Sequence, residues 1–586
     1  MHLKSVLISI TSIAASGCAA IAPITSEPPA KADWRLEGRA MVAAADQRAV
    51  DAALEVLRAG GHAVDAAIAA HAILGLVEPQ SSGLGGGAFM LVYERETDEI
   101  LVYDGRETAP ASASPDMFLV DGAPMGFVDA WQSGKSVGVP GAVAMYKAAH
   151  DAHGQSNWSD LFGAAITLAE DGFVVTPRLA TMLSNPRLRG VSRLDDNPAT
   201  AAYFYPNGEP LAVGDIRDNP DYAATLSSLA SEGPDAFYQG VLPGLIAIAA
   251  QEAPNGGGLT QSDIADYTPI VRNAVCGDYE TYKICSAPPP SSGSVAQPLI
   301  MGLYERLTDG LDRENEDAFL AAFVDAQRLA YADRDHYVAD ADFVSVPIQD
   351  LVDPIYMDAR AQQRFAPDAP SAPGDPGAVL RDEPIVDMWG RDATEPGAGT
   401  THLSIVDFDG NAVSMTATVE APFGSSRWAG GFLLNNELTD FSKIPEINGK
   451  PVANAPAPGK RPRSSMSPTL VFDETGELYM VTGSPGGNSI IAYVAKSLVG
   501  VLDWEMSAQD AIDLPNIIAR GDTVNVEIAE ANGQAAADTL KSMGYAVRER
   551  EGENSGLHVI IARADGFEGG ADKRREGVAV EILRDD

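Results

Sequence analysis

Apolar residues recur every three to four positions in several parts of the chain, the spacing that places them on one face of a helix. Two such runs flank Gly60-Gly61, a glycine pair typical of the end of a helix. Residues 140–265 are predicted to be mainly helical, and residues 316–337 to form one long helix with a single buried face. Further helices are predicted over 489–504, 507–514 and 534–543.

Apolar and polar residues alternate in other segments, which is the pattern of half-buried strands. A hairpin is predicted over 87–110, and the segment 366–399 is a loop rich in proline and glycine with no periodicity. Further strands are predicted over 401–407, 411–419, 468–473, 478–482, 557–563 and 577–583. Strands precede helices in both halves of the chain. This order predicts an α+β protein in which helices cover layered sheets.

Composition narrows the class of protein. A chain of 586 residues with 45% hydrophobic residues can bury a large core, either in two or three domains or in one large layered unit. Its net charge is -41 and its pI about 4.4. Such a surface repels phosphate backbones, so nucleic acid is not expected as a partner. We interpret the acidity as a source of solubility.

The first residues, MHLKSVLISITSIAASGCAA, indicate export because one lysine precedes a short apolar run that ends in small residues. The run is too short to cross a bilayer. Its ending resembles a bacterial lipobox in which Cys18 becomes a lipidated N-terminus, although Ala15 is a weak match to that motif. We expect a signal peptide over 1–18, a flexible tether over 19–37, and a periplasmic protein that is either free or anchored through Cys18.

Two cysteines remain after Cys18, in the segment VCGDYETYKIC. The segment is predicted to be a strand, a tight turn and a second strand, which can place Cys276 and Cys285 across a hairpin. An exported protein occupies an oxidising compartment, so a disulfide is the first interpretation and two buried thiols are the alternative. Metal binding by these cysteines is not expected, because no other good ligand lies nearby in the sequence.

Three short motifs suggest other functions but lack the required context. SGLGGGAF (82–89) resembles a dinucleotide-binding loop, yet here a helix precedes it and a strand follows, the reverse of the required order. TGSPGG lacks the first glycine of a serine elbow because Thr482 occupies that position. His150 and His153 have no acidic ligand in register, so we expect them on a helix surface rather than in a zinc site. No metal or cofactor is expected.

Thr400 stands where the loose segment meets the first predicted strand, in EPGAGTTHLSIVDFDGNAVSM. A threonine hydroxyl becomes an effective nucleophile when the residue is the first of a chain, because its own α-amine then serves as the base. Cleavage just before Thr400 would create that terminus, and a loose segment joined to a rigid strand favours such a cut. The alternative is an ordinary strand start, where threonine is common.

Several residues elsewhere fit a site around this threonine. Gly486 and Gly487 precede a predicted helix, so their amides can approach a ligand and stabilise an oxyanion. One arginine, two carboxylates and two hydroxyls suit a zwitterionic α-amino acid group, with the cation on its carboxylate and the anions on its ammonium. These five residues are Arg106, Glu437, Asp440, Ser464 and Ser465.

The chain resembles the gamma-glutamyltransferase (gamma-glutamyltranspeptidase) family of N-terminal-nucleophile hydrolases over nearly its whole length. The resemblance rests on VEPQSSGLGGGAFM, DGRETAP, APPPSSG, RLAYADRD, TTHLSIVDFDGNAVSMT, LLNNELTDFS, KRPRSSMSPT and GSPGG, which occur in one order. It implies a four-layer αββα sandwich that opens with a hairpin and places Thr400 at the sheet edge facing the cleft. It also implies autocleavage after Gly399 into a large subunit (38–399) and a small subunit (400–586) that together form one αββα unit.

The resemblance assigns a role to each candidate residue. Thr400 is the implied nucleophile, and Thr418 on the paired strand hydrogen-bonds to it and tunes it. The remaining implied roles are an oxyanion hole at Gly486 and Gly487, α-carboxylate binding by Arg106, Ser464 and Ser465, and α-ammonium binding by Glu437 and Asp440.

One residue departs from the better-known family members. Glu420, in TATVEAPFGSS, occupies the position of an asparagine that helps to bind the α-ammonium. Three interpretations are open. Glu420 accepts a hydrogen bond from the ammonium, or the enzyme uses a different donor substrate, or Glu420 is a solvated residue at a strand end. The expected activity is transfer of a γ-glutamyl group from glutathione or a related amide to water or an amino acid. The alternatives are an amidase for cephalosporin or glutaryl amides and a non-catalytic binding lipoprotein.

Overall fold

The computed structural model describes residues 38–253, 255–363, 365–392, 394, 397 and 399–584. The predicted signal peptide, Cys18 and the tether therefore lie outside the described residues. Within the described part of the chain, no helix has both the length and the apolar character needed to cross a membrane.

Two large antiparallel sheets form the centre of the molecule, one of seven strands and one of six. Their strands are β1 (Arg39–Ala44), β2 (Gly87–Glu94), β3 (Glu99–Asp104), β4 (Ile270–Asn273), β5 (Val275–Tyr279), β6 (Tyr282–Ser286), β7 (Gly399–Val406), β8 (Ala412–Glu420), β9 (Thr469–Phe472), β10 (Leu478–Gly483), β11 (His558–Arg563), β12 (Gly566–Ala571) and β13 (Val578–Leu583). The first sheet has the order β13-β1-β7-β8-β2-β3-β4 and the second the order β12-β11-β10-β9-β6-β5.

Helices cover the outer faces of both sheets. The longer ones are α1 (Gln47–Arg58), α2 (Ala63–Val77), α3 (Ala142–His153), α4 (Gly163–Asp171), α5 (Pro177–Ser184), α6 (Pro186–Ser192), α7 (Pro198–Phe204), α8 (Pro220–Glu232), α9 (Leu242–Gln251), α10 (Gly293–Thr308), α11 (Glu316–Tyr337), α12 (Pro354–Ala361), α13 (Ile490–Leu498), α14 (Ala508–Asp513) and α15 (Ala531–Ser542). Short helical turns occur at Phe127–Trp131, Asp235–Tyr238, Gln261–Ala265, Ile348–Leu351 and Pro376–Arg381.

Small sheets complete the structure at the periphery. A three-stranded sheet contains Ile517–Arg520, Thr523–Glu527 and Val547–Arg550. Two-stranded hairpins or pairs are formed by Leu119–Val120 with Ala123–Pro124, Phe173–Val174 with Ile216–Arg217, Trp428–Ala429 with Phe432–Leu433, and Glu446–Ile447 with Lys450–Pro451.

The side chains of β7 alternate between two buried environments, which defines the four layers. Leu403 and Ile405 join the apolar core that includes α1 and α2. Val406 joins the second core, which includes β9, α10 and α13. Ser404 lies on the same side as Val406, and its hydroxyl reaches the backbone of β11 in the other sheet. The order is therefore helix, sheet, sheet, helix, and even-numbered residues of β7 face the space between the sheets.

Most of the predicted elements are present close to their predicted bounds. The two helices around Gly60-Gly61 are α1 and α2, and the predicted hairpin is β2 and β3. The strands predicted after Gly399 correspond to β7 to β11 and β13, and residues 140–265 are mainly helical. Strands β1 and β12 have no alternating pattern and were not predicted. The loop over 366–399 contains one short helix, Pro376–Arg381.

The long helix α11 is buried more completely than its sequence predicts. Every residue from Gln327 to Tyr337 is buried, so the prediction of a single buried face is wrong for this half of the helix. The polar residues there are paired within the protein. The carboxylate of Asp333 bonds to Arg360 and to the hydroxyl of Tyr356, which removes the cost of burying it.

Candidate active site

Thr400 lies at the start of β7, directly opposite Thr418 of β8. Strand β7 is a central strand of the first sheet. Thr400 therefore lies at the end of a central strand and not on an edge strand. The two hydroxyl oxygens are 3.2 Å apart. Thr418 donates to the carbonyl oxygen of Gly399 at 2.7 Å, so the proton between the two hydroxyls comes from Thr400. Thr418 therefore polarises the carbonyl before Thr400 and accepts from the neighbouring hydroxyl.

The backbone around this pair departs from regular strand geometry. The register of β7 and β8 shifts between Gly399 and Thr400. Glu420, opposite Gly399, has φ 78°, which is rare for a residue with a side chain. Its N–H donates to the Thr418 hydroxyl at 2.8 Å, which fixes the orientation of that hydroxyl. The strained strand end thus positions both threonines.

Gly486 and Gly487 follow β10, and Gly487 lines the same cleft. Gly486 has φ 135°, and a Cβ there would lie 2.4 Å from the ring of Tyr493, so only glycine fits. Within the described part of the chain, the amides of both glycines have no hydrogen-bond acceptor. Free amides at the start of a helix suit an oxyanion hole.

Arg106 is fully buried directly after β3, and its guanidinium donates to both Glu437 and Asp440. The distance from Nη2 to Asp440 Oδ2 is 2.6 Å. Backbone carbonyls of Pro462 and Arg463 take two further N–H groups at 3.1 and 2.8 Å. The sequence predicts that Arg106 binds the α-carboxylate of a substrate and that Glu437 and Asp440 bind its α-ammonium. In the structure Arg106 is already bonded to both carboxylates.

Each of the two carboxylates keeps one free oxygen. Glu437 Oε2 and Asp440 Oδ1 are buried and accept from no N–H or hydroxyl group of the described residues, although the carboxyl of Glu107, whose pKa is raised by burial, can share a proton with Glu437. A buried acceptor without a partner is costly, so these oxygens are suited to receive a donor from a ligand. Both residues line the cleft that also contains Thr400 and Thr418.

Ser464 and Ser465 also line the cleft, directly after Pro462 and Arg463, whose carbonyls accept from Arg106. The Ser464 hydroxyl accepts from the N–H of Met466 at 3.1 Å and keeps its own proton available. The Ser465 hydroxyl accepts from Arg334 at 2.6 Å and bonds to Asn488 at 3.1 Å. Ser464 is therefore the better placed of the two to donate to a carboxylate.

Glu420 is buried at the same cleft, so the interpretation as a solvated strand-end residue is wrong. Its two carboxylate oxygens accept from the backbone N–H of Gly397 and from the amide of Asn436. Gly397 belongs to the segment before Thr400 and lines the cleft. In the uncut chain the cleft has a free volume of only about 20 Å³, room for about one water molecule.

Comparison of the sequence with known proteins identifies the family of this chain. The family model described as Gamma-glutamyltranspeptidase matches residues 49–582. The chain belongs to the gamma-glutamyltranspeptidase family. The glutathione hydrolase proenzyme of Escherichia coli (strain K12) is 34% identical over 542 residues, covering 91% of this chain and 90% of that protein. The glutathione hydrolase proenzyme of Bacillus subtilis (strain 168) is 34% identical over 551 residues, covering 92% and 91%.

A solved structure shares this fold. The cephalosporin acylase from Bacillus halodurans matches with a TM-score of 0.78 and 25% identity, over 93% of this chain and 96% of that chain. This match confirms the predicted αββα sandwich of N-terminal-nucleophile hydrolases.

Four carboxyl groups lie close together in this gamma-glutamyltranspeptidase site, and burial raises the pKa of each. They are Glu107, Glu420, Glu437 and Asp440. Desolvation raises the pKa of Glu437 to about 8, against the opposing field of Arg106. Burial and then the fields of Asp440 and Glu437 hold the pKa of Glu420 well above its usual range. The pKa of Glu107 is raised in the same way, first by burial and then by Glu437. The site favours a cationic ligand more strongly as these groups ionise.

Sequence analysis missed four residues that complete the gamma-glutamyltranspeptidase site. Arg575 donates to the carbonyl oxygen of Thr400 at 2.7 Å, Arg334 holds Ser465, and Asn436 holds Glu420. Glu107 lies beside Glu437, and its carboxylate oxygens accept from no N–H or hydroxyl group of the described residues. Arg334 falls within the motif RLAYADRD named above, and Arg575 falls within GGADKRREG near the end of the chain, but spacing alone does not show which charges face the cleft.

Cys276 and Cys285 lie directly opposite each other on β5 and β6, with their Cα atoms 4.0 Å apart, and are joined by a disulfide. The bond ties the last two strands of the second sheet. It is remote in sequence from every residue of the cleft, and its place in the fold indicates a structural role.

His150 and His153 are half-buried and hydrogen-bonded, so the prediction of surface positions is wrong. His153 forms a group with Glu94 and His62 whose ligand atoms lie within 4.8 Å of one another. His153 Nδ1 bonds to Glu94 at 2.9 Å, and its Nε2 bonds to the hydroxyl of Tyr103 at 2.8 Å. Both ring nitrogens of His153 are therefore engaged.

The ring of His62 also lies beside Glu94. Its Nδ1 accepts from the N–H of Val64 at 3.1 Å, which places the ring proton on Nε2, 3.4 Å from Glu94. Hydrogen bonds from the two imidazoles lower the pKa of Glu94 to about 2. The carboxylate of Glu94 therefore faces a ring nitrogen of each histidine, at 2.9 Å for His153 and 3.4 Å for His62.

Proposed function

We propose that this protein is a γ-glutamyl transferase and hydrolase that acts on glutathione or related γ-glutamyl amides through a threonyl ester. It is an enzyme of the N-terminal-nucleophile type. The alternative activity is that of an amidase for another acyl group, such as a glutaryl or cephalosporin amide.

One observation carries the choice between these activities. Glu437 and Asp440 each present a buried oxygen that accepts from no N–H or hydroxyl group of the described residues, beside the guanidinium of Arg106 and in the cleft of Thr400. An α-ammonium satisfies both oxygens, whereas a glutaryl group offers nothing to them. Arg106 and Ser464 provide donors for the α-carboxylate. The site is thus built for an α-amino acid head group.

The reaction follows from the positions of the groups around Thr400. After cleavage, the α-amine of Thr400 takes the hydroxyl proton as Oγ1 attacks the γ-carbonyl. Thr418 supports the hydroxyl, and the amides of Gly486 and Gly487 donate to the oxyanion. The amine leaving group takes up the proton and departs, which leaves a γ-glutamyl ester on Thr400. Attack by water or by an amine then releases the acyl group and restores the hydroxyl.

Paired substrates test the proposal directly. A γ-glutamyl anilide and a glutaryl anilide differ only by the α-ammonium, so the ratio of their kcat/KM values measures what that group contributes. We expect a ratio of at least about a hundred in favour of the γ-glutamyl anilide, because a buried charged hydrogen bond contributes about 1.5–3 kcal/mol and two are available. A ratio that favours the glutaryl anilide would identify an acylase instead.

Glu420→Asn tests the third carboxyl of the ammonium site. Because the pKa of Glu420 is raised, the group ionises only as pH rises, and donor binding is expected to improve over that range. Asparagine keeps an acceptor of similar reach and cannot ionise. We expect the slope of log KM for the γ-glutamyl anilide against pH to become shallower by up to about one unit, with hydrolysis retained. An identical slope in both proteins would remove Glu420 from the ammonium site.

The proposal includes cleavage between Gly399 and Thr400 to give a large chain (38–399) and a small chain (400–586). The hydrogen bond from Thr418 to the Gly399 carbonyl supports this, because it activates the carbonyl that Thr400 must attack. The descriptions of the two bacterial relatives as proenzymes are consistent with processing of the same kind.

We also propose export to the periplasm, with a lipid anchor at Cys18. The N-terminal residues MHLKSVLISITSIAASGC support this, as a short apolar run that ends in small residues before a cysteine. Membrane fractionation of the wild type and of Cys18→Ala distinguishes the anchored form from a free one, since only the anchored form moves to the soluble fraction on substitution.

A further inference from the structure

A cavity of about 450 Å³ lies among the outer helices α10, α11, α13 and α15 and the three-stranded sheet. Among the described residues, none lines both this outer cavity and the Thr400 cleft. Its size falls within the range of about 300–1,000 Å³ that small-molecule sites occupy. The outer cavity is therefore a candidate ligand site separate from the active site.

Aromatic side chains form much of its wall. Tyr304, Phe319, Phe323 and Trp504 line it. The rings of Phe319 and Trp504 meet edge to face with their centres 5.1 Å apart, and Tyr304 meets Phe319 and Phe323 in the same way at 6.4 and 6.3 Å. Rings that are fixed by one another give a rigid apolar surface, which suits the apolar body of a small molecule.

A π-helical turn, Val499–Asp503, brings two residues of this wall together. The N–H of Trp504 donates to the carbonyl oxygen of Val499 at 3.2 Å, five residues earlier. Residues five apart lie on different sides of an α-helix, but a π-helical turn places them on the same side. Val499 and Trp504 consequently both line the outer cavity. Such turns occur mostly at functional sites.

Lys496 of α13 contributes a buried cation to the outer cavity. Its ammonium donates to the carbonyl oxygens of Ile512 and Leu514 at 2.7 and 2.8 Å, which leaves one of its three N–H groups unused. Arg574 donates to the same two carbonyls at 3.2 and 3.1 Å, so a second cation lies beside the first. Among the described residues, no carboxylate lies within ion-pair distance of Lys496.

The nearest carboxylates each pair with another cation. They are Glu527 and Asp572, which pair with Arg574, and Asp513, which pairs with Lys573. Burial, and then the field of Arg574, lower the pKa of Lys496 to about 7, although these three carboxylates oppose the shift. A buried ammonium without an ion-pair partner is costly, and an anion bound next to it would remove that cost.

The mouth of the outer cavity has the opposite charge. Glu316 and Asp317, at the start of α11, are exposed and line it. Two carboxylates at the entrance repel an anionic group there, whereas Lys496 attracts one at the buried end. A ligand with one anionic group is therefore favoured in one orientation, with that group inside.

We propose that the outer cavity binds a monocarboxylate with an aromatic or other apolar body. The carboxylate pairs with the ammonium of Lys496, and the body packs on Phe319, Phe323 and Trp504. This site is independent of the γ-glutamyl activity, since it shares no lining residue with the Thr400 cleft among those described.

A matched pair of probes tests the role of Lys496. The binding of 4-phenylbutyrate and of 4-phenylbutyramide is measured by isothermal titration calorimetry in the wild type and in Lys496→Met. We expect the ratio of the two Kd values to change by about tenfold against the carboxylate in K496M, because a charged hydrogen bond is lost while the apolar wall remains. An unchanged ratio, or a wild type that does not bind 4-phenylbutyrate, would overturn the proposal.

Lys460→Met is the matched control. Lys460 is also buried and donates to two backbone carbonyls, but it does not line the outer cavity. Its ratio of Kd values is expected to equal that of the wild type. Ala535→Trp places a large side chain at the exposed rim of the cavity and should weaken both probes. Full binding of both probes to A535W would show that they bind elsewhere and would contradict the assignment.

The pH dependence provides a test in the unaltered protein. The 4-phenylbutyrate anion requires the protonated form of Lys496, whose pKa is about 7, and that form is lost as pH rises. We expect the Kd of 4-phenylbutyrate to increase at least about tenfold from about pH 6.5 to about pH 8.5, and the Kd of the amide to stay constant. A Kd for the carboxylate that does not change over this range would exclude Lys496 as its partner.

Discussion

Thr400→Ala is expected to yield a single uncut chain with no measurable turnover of γ-glutamyl amides. The hydroxyl of Thr400 is the group that attacks the Gly399 carbonyl during cleavage and the substrate carbonyl during catalysis, so its removal abolishes both. In the wild type, denaturing electrophoresis should show two bands, and N-terminal sequencing of the smaller should begin Thr-Thr-His-Leu. The variant should show one band at the position of the precursor.

Thr401→Ala is the matched control for this experiment. Thr401 is the next residue along β7, and its hydroxyl is buried without a partner among the described residues, on the opposite side of the strand. Removing it should leave the two-band pattern intact. Cleavage of the Thr400→Ala protein, or an active wild type that remains one chain, would contradict the assignment of Thr400.

Arg106→Lys is expected to reduce kcat/KM for γ-glutamyl donors by at least about 30-fold, which corresponds to about 2 kcal/mol for a buried charged hydrogen bond. The guanidinium donates to Glu437, to Asp440 and to two backbone carbonyls at once. Lysine is a single point charge and cannot reproduce that fork. The change therefore removes α-carboxylate binding and also releases the two carboxylates that receive the ammonium.

A donor whose α-carboxylate is converted to an amide separates these effects. If Arg106 binds the α-carboxylate, the wild type should prefer the natural donor and Arg106→Lys should lose most of that preference. If Arg106 only positions Glu437 and Asp440, both donors should weaken equally. A Michaelis constant for the natural donor that does not change in the variant would exclude Arg106 from the site.

The fold could be predicted where the local pattern reflects the final environment. Strands β7 and β8 alternate clearly because one side of each faces helices and the other faces the second sheet. Strand β1, RAMVAA, and strand β12, GFEGGA, carry no such pattern, and they are strands because of their partners in the sheets. Pairing between distant segments is a tertiary property that a local window does not contain.

The residues of the site could likewise be predicted from the sequence only in part. Thr400, the glycine pair and the charged residues were recognisable from their types and motifs. The bond from Arg106 to Glu437 joins residues 331 positions apart, so only the fold shows that these charges meet before any substrate arrives. The positions of Arg575 on the Thr400 carbonyl and of Arg334 on Ser465 depend on the same long-range packing.

The strand order of the first sheet has a consequence for assembly. Cleavage before Thr400 would leave β13, β7 and β8 in one polypeptide and β1, β2, β3 and β4 in the other, with β1 between two strands of the small chain. Two separately made halves would have to find each other in solution and interleave their strands. A single precursor brings both halves together at high effective concentration and cuts the connection afterwards. The precursor thus acts as an intramolecular template for a one-to-one heterodimer whose chains cannot exchange partners without unfolding.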